Sequence, residues 1–286
     1  MREGKPSFTA AAVAAARGVA RVDPLAQALV DGPLSVVLRA GRLGRVPAAA
    51  VNLASFGLVD HIEMRTLAID AALREAVEAG VRQLVVLGAG LDARAWRMPE
   101  LAETRVFEVD HPSTQAYKRA RVGARSPAAK DVRFVAVDFA KDSLEAALAN
   151  AGHDVAAPTF WLWEGVTPYL PREAVRATLA AVAARSAKGS RIAVTYGTPR
   201  GSTLGATAVR AARFAFRAII GEALVGLLSA EDMRDELADV GFRLLEDCSA
   251  ADWGARFGGG RRRLLVVDER LAVAVSDGPL RASRAA

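Results

Sequence analysis

The chain has 286 residues, 52% hydrophobic and 24% charged, proportions that suit one large globular domain and exclude a disordered or fibrous protein. The formal charge of +6 comes from basic residues interleaved with acids along the whole length, so a nucleic-acid partner, which needs clustered basic residues with aromatics among them, is not expected. Cys248 stands alone, which excludes a disulfide framework, and no apolar run reaches the roughly 18 residues of a bilayer span, so a cytoplasmic protein without a membrane partner is expected.

The alanine-rich start is interrupted by Arg17 and Arg21 and lacks the long apolar core of a secretion signal. From residue 7 to about 80, FTAAAVAAARGVA, DPLAQALVDG, LSVVLRAGRLG and HIEMRTLAIDAALREAVEAG have helical composition or spacing. Asp23-Pro24 and Gly32-Pro33 punctuate them as helix starts and turns. In the last segment Ile62, Leu67, Ile69, Leu73 and Val77 make an apolar stripe that Gly80 ends. Residues 1–80 therefore read as a helical cap packed on a core of residues 81–275.

Within that core, the strands QLVVLGAG, RVFEVD, VRFVAVDF, TFWLWEGV and SRIAVTYG alternate with the helices RAWRMPELA, PSTQAYKRARVGA, SLEAALANAG and REAVRATLAAVAARSA. Short apolar runs joined by helices require right-handed crossovers and predict an α/β fold, a doubly wound, mostly parallel sheet. Residues 198–228 are too long for a simple connection and apolar enough to pack, so they read as an inserted helical cap. After the helix SAEDMRDELADVG come two closing strands, FRLLEDCSA and RRRLLVVDER, separated by a glycine-rich loop and antiparallel. Residues 276–286 should fray.

In an open α/β sheet, ligands bind beyond the carboxyl ends of the strands. Gly88-Ala89-Gly90-Leu91-Asp92-Ala93 fits the permissive G-x-G-x-x-G/A turn, and Asp110 follows Gly90 by twenty residues, the spacing of an acid that accepts from a ribose. The plainer alternative is a tight turn with Asp110 capping the helix opened by Pro112. An adenosine could belong to a dinucleotide or to S-adenosylmethionine (SAM). Pyrophosphate avoids acids, whereas a sulfonium and an ammonium suit them, so Asp92 and Glu164 favour SAM. Asp92 could equally be a helix cap, but a carboxylate within TFWLWEGV requires a partner. Asp138 and Phe139 could flank adenine, or simply end a strand.

Together EMRTLAID, LVVLGAGLDARAWRMP, VFEVDHPSTQAYK, VAVDF and WEGVTPYL, in this order between about Ala14 and Gly197, resemble the leucine carboxyl methyltransferase family, in its bacterial branch near polyketide O-methyltransferases. The resemblance implies a class I SAM-dependent methyltransferase with a seven-stranded, Rossmann-like sheet whose last strand is antiparallel. It implies that Arg65 holds the methionine carboxylate, Gly88 and Gly90 line the methionine and ribose, and Asp110 binds the ribose hydroxyls. Asp138 and Phe139 would flank adenine, and Glu164 would lie beside the methionine. Ala93 and Trp96 depart from the Thr and Tyr common in relatives. Relatives also close a basic residue of the N-terminal helix over the cofactor, and Arg17 is the nearest match.

Trp163, Tyr169 and Tyr196 could wall an acceptor pocket or pack in the core, and His111 could touch substrate or begin a helix. His61, His111 and His153 lack metal-ligand spacing, so no metal is expected. No convincing general base is visible. An acceptor carboxylate, ionised at neutral pH, needs none, while a phenol would need help from His111, Tyr196 or a carboxylate. The expected activity is O-methylation of a small carboxylic acid or hydroxylated natural product. An NAD-dependent oxidoreductase is the enzymatic alternative, although Tyr117 is followed directly by Lys118 and no Tyr-x-x-x-Lys pair occurs there. A SAM-binding interaction protein without turnover is the other.

Overall fold

A computed structural model describes residues 7–139, 141–199, 225–258 and 269–278. The five expected parallel strands appear as β1 (Gln83–Leu87), β2 (Arg105–Asp110), β3 (Asp131–Ala136), β4 (Thr159–Trp163) and β5 (Arg191–Gly197). With β6 (Phe242–Ser249) and β7 (Glu269–Ser276) they form one seven-stranded sheet in the order β3-β2-β1-β4-β5-β7-β6. β7 runs antiparallel to both neighbours, pairing Arg191 with Val275 and Ser249 with Arg270. The strand order reverses beside β1, which opens a crevice over the carboxyl ends of β1 and β4.

Every residue of β1 is buried because helices cover both faces of the sheet. Leu84 and Val86 pack with Ile69 and Leu73 of α5 (Leu58–Glu78). Val85 and Leu87 point the other way, into a layer with Leu179 and Val182 of α9 (Arg172–Ala184). Between these helices in the chain lie α6 (Arg94–Arg97), α7 (Pro112–Val122) and α8 (Leu144–Asn150).

The N-terminal segment is helical, as its composition predicts: α1 (Phe8–Val19), α2 (Ala26–Leu29), α3 (Gly32–Arg42) and α4 (Arg45–Ala54) precede α5. Ala15, Val19, Leu29, Leu38 and Ile62 make an apolar cluster continuous with Leu91 and Tyr117 of the core. This cluster fixes α1 above the turn that leaves β1.

Beyond β5 the structure differs from the sequence reading. α10 (Ala230–Asp239) is where it was expected, but α11 (Ala250–Phe257) replaces the loop expected after β6. Its start carries a capping box, Ser249 with Asp252, a signal the sequence reading missed. α11 buries Trp253 against α5. The last strand is Glu269–Ser276 rather than RRRLLVVDER. Leu271 and Val273 enter one core layer, Ala272 and Ala274 the other, and a strand enclosed by β5 and β6 needs such a two-sided apolar run. Residues 261–268 of the expected strand, 200–224 of the expected cap and 279–286 of the tail lie outside the described residues. Of that cap, Leu227 bridges Gly197 in parallel and Leu228 is buried. No described helix is long and apolar enough to cross a membrane.

Candidate functional site

The chain leaves β1 through Gly88 (φ +65°) and Gly90 (φ +50°), both left-handed, a conformation that favours glycine. At Gly88 space also requires it, since a Cβ would lie 2.7 Å from Cγ2 of Val166 in the loop after β4. The Gly90 amide donates to Oδ2 of Asp110 at 2.6 Å, and the His111 amide donates to Oδ1 at 2.6 Å. Asp110 therefore ties the turn after β1 to the end of β2. It does not cap α7; His111 does, with Nδ1 accepting from the Ser113 amide.

A cavity of about 270 Å³ lies between α1 and these strand ends. Ala10, Val13 and Arg17 of α1 roof it, and Gly88 to Gly90, Asp110, Arg65, Glu164 and Tyr169 line it. Ionic contacts form its floor. Oε1 of Glu164 accepts from Arg17 Nη2 at 2.6 Å and from Arg65 Nε at 3.0 Å, and Oε2 accepts from Arg94 Nη1 at 2.9 Å. Arg65 Nη1 donates to both oxygens of Glu269 at 3.0 Å, and His61 Nε2 contacts Oε2 of Glu269 at 2.6 Å. Arg94 also pairs with Asp92 and, at 2.7 Å, with Asp70, which Arg97 meets at 2.7 Å. Arg17 Nη1 lies 3.6 Å from Asp92.

Burial raises the pKa of each of these carboxyls, but the guanidiniums outweigh it. Glu164 is held well below its usual range by Arg17, Arg94 and Arg65, and Asp92 is lowered by Arg94 and Arg17. Glu269 is drawn down to about 2 by Arg65 and His61. The sequence reading treated Asp92 and Glu164 as acids open to a cationic ligand, and the structure corrects that. Glu164 does find the partner that burial requires, but three arginines of the same chain supply it. Arg65, expected to hold a ligand carboxylate, is gripped by Glu164 and Glu269 and still reaches the cavity wall.

Of the charged residues lining the cavity, Arg17 and Arg65 oppose Asp92, Asp110 and Glu164, leaving one negative charge in excess. Such a lining suits a ligand of net charge +1, such as SAM, and disfavours a pyrophosphate. Asp138 and Phe139 follow β3, one strand beyond Asp110, with Val137 donating to the Asp110 carbonyl at 3.0 Å. Neither Asp138 nor Phe139 is among the residues that line the cavity: Asp138 pairs with Lys141 at 2.9 Å, and Phe139 is 53% exposed.

Two expected pocket residues are not pocket residues. Trp163 and Tyr196 are 2% and 0% exposed and belong to the sheet's core layer, because strand alternation turns them away from the crevice. Tyr196 donates to Oδ2 of Asp247 at 2.8 Å, and burial with that partner pushes its phenol pKa well up, so it is unsuited to act as a base. Tyr169 does line the cavity. His111 is occupied as a helix cap. Among the described residues no group of His, Cys, Asp and Glu could hold a metal ion.

Sequence reasoning missed Asp70, Arg94, Arg97, His61 and Glu269 as members of the ionic floor. Asp70 and Arg94 lie inside the quoted segments EMRTLAID and LDARAW, but beyond the local pair of Arg94 with Asp92 their partners are tertiary: Asp70 meets Arg94 and Arg97 rather than Arg65, and Arg94 also reaches Glu164. Glu269 lies 204 residues from Arg65 and carried no local signal.

A family model, leucine carboxyl methyltransferase, matches residues 8–183. A protein of Streptomyces coelicolor is 42% identical over 180 residues, 61% of each chain, and one of Saccharopolyspora erythraea is 38% identical over 249 residues, 84% of each. The chain thus spans about three fifths of the first relative's length and more of the second's. Both bear the name "Putative S-adenosyl-L-methionine-dependent methyltransferase". A solved DUF574 family protein from Streptomyces avermitilis superposes with a TM-score of 0.64 at 16% identity, covering 96% of this chain and 98% of its own. A solved protein from Thermobifida fusca gives 0.61 at 19% identity, covering 96% of each. With its sheet order, its glycine turn joined to Asp110 and this match over most of its length, the chain belongs to the leucine carboxyl methyltransferase family of SAM-dependent methyltransferases.

Proposed function

We propose that this chain transfers a methyl group from SAM to an oxygen of a small, natural-product-like acceptor, with a carboxylate favoured over a hydroxyl. The observation that carries this reading is the cavity beside Gly88 and Gly90, where Asp110 and Arg65 are held in place at either end of the glycine turn and neither Tyr196 nor His111, the expected candidates among the described residues, is placed as a base. Tyr196 is buried and bonded to Asp247, and His111 caps a helix, so neither is placed to take a proton from a phenol. An acceptor acid needs no such step, because it is already ionised at neutral pH.

Bound SAM would supply an electrophilic methyl on a sulfonium. The protein's part is then to hold and orient. Asp110 keeps lone pairs for two hydroxyls while its backbone bonds fix its rotamer, and Arg65, braced by Glu164 and Glu269, offers a guanidinium for a carboxylate. Phe139, exposed three residues beyond β3, would offer a ring face to the adenine base. α1 excludes water from above, and such positioning can supply roughly 7 to 11 kcal/mol of a displacement barrier. Tyr169 supports the acceptor side. We place this work in the cytoplasm, which the lone Cys248 supports.

Family membership leaves the NAD-dependent reading without support, and Tyr117 donates to the Leu29 carbonyl in the cap rather than facing the cavity. Transfer of labelled methyl to a panel of acids and phenols tests the proposal. Base-labile product from acids is expected; label confined to phenols refutes the carboxylate preference, and no label on any acceptor leaves the interaction-protein reading.

A further inference from the structure

The α3–α4 hairpin exposes apolar side chains in a pattern that folding does not explain. α3 buries Leu38 and Gly41 against α1, while its outer face carries Val36 (58% exposed), Arg39, Ala40 and Leu43 (83%) at helical spacing. α4 has no buried residue, and Val46 (81%) and Leu53 (67%) lie seven residues apart on one exposed face. Phe56 follows with its ring in solvent (77%) and its backbone at φ +55°, a conformation uncommon for a bulky residue. A strained backbone that displays an aromatic ring to water is a feature of interaction sites rather than of packing.

Charge identifies the partner. No acid lies between Asp31 and Asp60, while Arg39, Arg42 and Arg45 do. Arg39 and Arg45 are exposed, whereas Arg42 is half-buried and donates to the Gly18 carbonyl of α1 at 3.3 Å. The segments of this chain outside the described residues are themselves net basic: 200–224 holds four arginines and one glutamate, and 259–268 three arginines and one aspartate. Like charge makes them poor covers. A second copy docking through the same face would set arginine against arginine about the two-fold axis. Lipid headgroups of negative charge satisfy both halves of the pattern, taking guanidiniums at the interface and side chains that project from the helices just below it.

We infer that the α3–α4 hairpin is a docking surface for an anionic lipid membrane, with Leu43, Val46, Leu53 and Phe56 entering the interface and the exposed Arg39 and Arg45 meeting the headgroups. This revises, for one face, the sequence expectation that a membrane is no partner. Neither basic charge nor apolar area alone anchors a protein well; the two together do.

The test is flotation of the full chain with vesicles of phosphatidylcholine alone or mixed with phosphatidylglycerol. The expected result is partition into the mixed vesicles, weakened by salt, and lower by about fivefold for each arginine removed in Arg39→Ala and Arg45→Ala. Leu43→Glu with Val46→Glu should abolish it with an unchanged melting curve, because both side chains are in solvent. No partition into anionic vesicles, or partition retained in the Leu43→Glu/Val46→Glu variant, overturns the inference. So does a dimer in light scattering that the same variant dissolves, which would assign the face to a second copy.

Discussion

Glu269 offers a sharp test of the ionic floor, because the sequence gives no hint of its role and the structure gives it a large one. Replacing it by Gln keeps the shape and removes the charge that Arg65 meets at 3.0 Å and His61 at 2.6 Å. Its carboxyl is drawn from an ordinary 4.5 to about 2 despite full burial. A group depressed by that much contributes about 3 kcal/mol of stability at neutral pH, at 1.36 kcal/mol per pKa unit. The same figure lies within the roughly 3–5 kcal/mol expected when one partner of a buried pair is removed. The sign follows from the depression: the contribution is complete above the unfolded pKa and fades as pH falls from about 4.5 toward about 2. Urea denaturation of wild type and Glu269→Gln across that range reads it directly. The two stabilities should differ by about 3 kcal/mol at pH 7 and converge in acid. A difference below about 1 kcal/mol, or one that does not change with pH, would mean that Glu269 is not the counter-charge of Arg65.

Further outcomes follow from the same contacts. Asp110→Asn should weaken S-adenosylhomocysteine binding by about tenfold or more in calorimetry, since hydrogen bonds to a charged group contribute about 1.5–3 kcal/mol; undiminished affinity removes Asp110 from the site. Gly88→Ala should lower both stability and that affinity, because the added Cβ meets Val166 at 2.7 Å on a left-handed backbone, and a fully stable variant would contradict the geometry of the turn. Tyr196→Phe should cost about 1 kcal/mol of stability and leave methyl transfer intact, since its hydroxyl serves Asp247; loss of turnover in a well-folded protein restores it to catalysis. Burial raises the Glu108 carboxyl, next to Lys118 at 2.6 Å, to about 7. A raised carboxyl favours the protonated fold, so stability falls as pH climbs from about 4.5 to about 7, and Glu108→Gln should flatten that slope in pH-dependent melts.

Much of this architecture was legible because it is local. The strands β1 to β5 each announce themselves as a short apolar run, and Gly88, Gly90 and Asp110 sit at spacings that one βαβ unit dictates. What failed was of two kinds. α11 and β7 flank an arginine cluster and glycines that themselves have the composition of a loop and a strand, whereas the true signals are the capping box at Ser249 and the apolar run Leu271–Val275. Trp163 and Tyr196 were placed correctly at strand ends, but which face of a strand meets a crevice depends on register across the sheet. The ionic floor was illegible for a third reason. Its pairs join α1, α5, α6, the loop after β4 and the start of β7, and no spacing within a chain encodes a contact between residues 204 positions apart.

That floor also changes what selects the cofactor. Four arginines (17, 65, 94 and 97) face four carboxylates (Asp70, Asp92, Glu164 and Glu269), so the acids near the glycine turn are not a bare negative field awaiting a cation. Their effect is mechanical as well as electrostatic. Glu164 draws Arg17 of α1 and Arg65 of α5 to one carboxylate, and this anchors the roof of the cavity to its floor. A ligand carboxylate approaching Arg65 meets a guanidinium already oriented, so little side-chain entropy is lost on binding. Asp110, with backbone amides on both oxygens, is preorganised in the same way. Recognition then rests on fixed positions, an arginine and an aspartate at either end of the glycine turn, more than on excess charge. Raising salt should then barely change SAM affinity, because pairs this buried are poorly screened. A steep loss of affinity with salt would instead return the selectivity to the net field of the crevice.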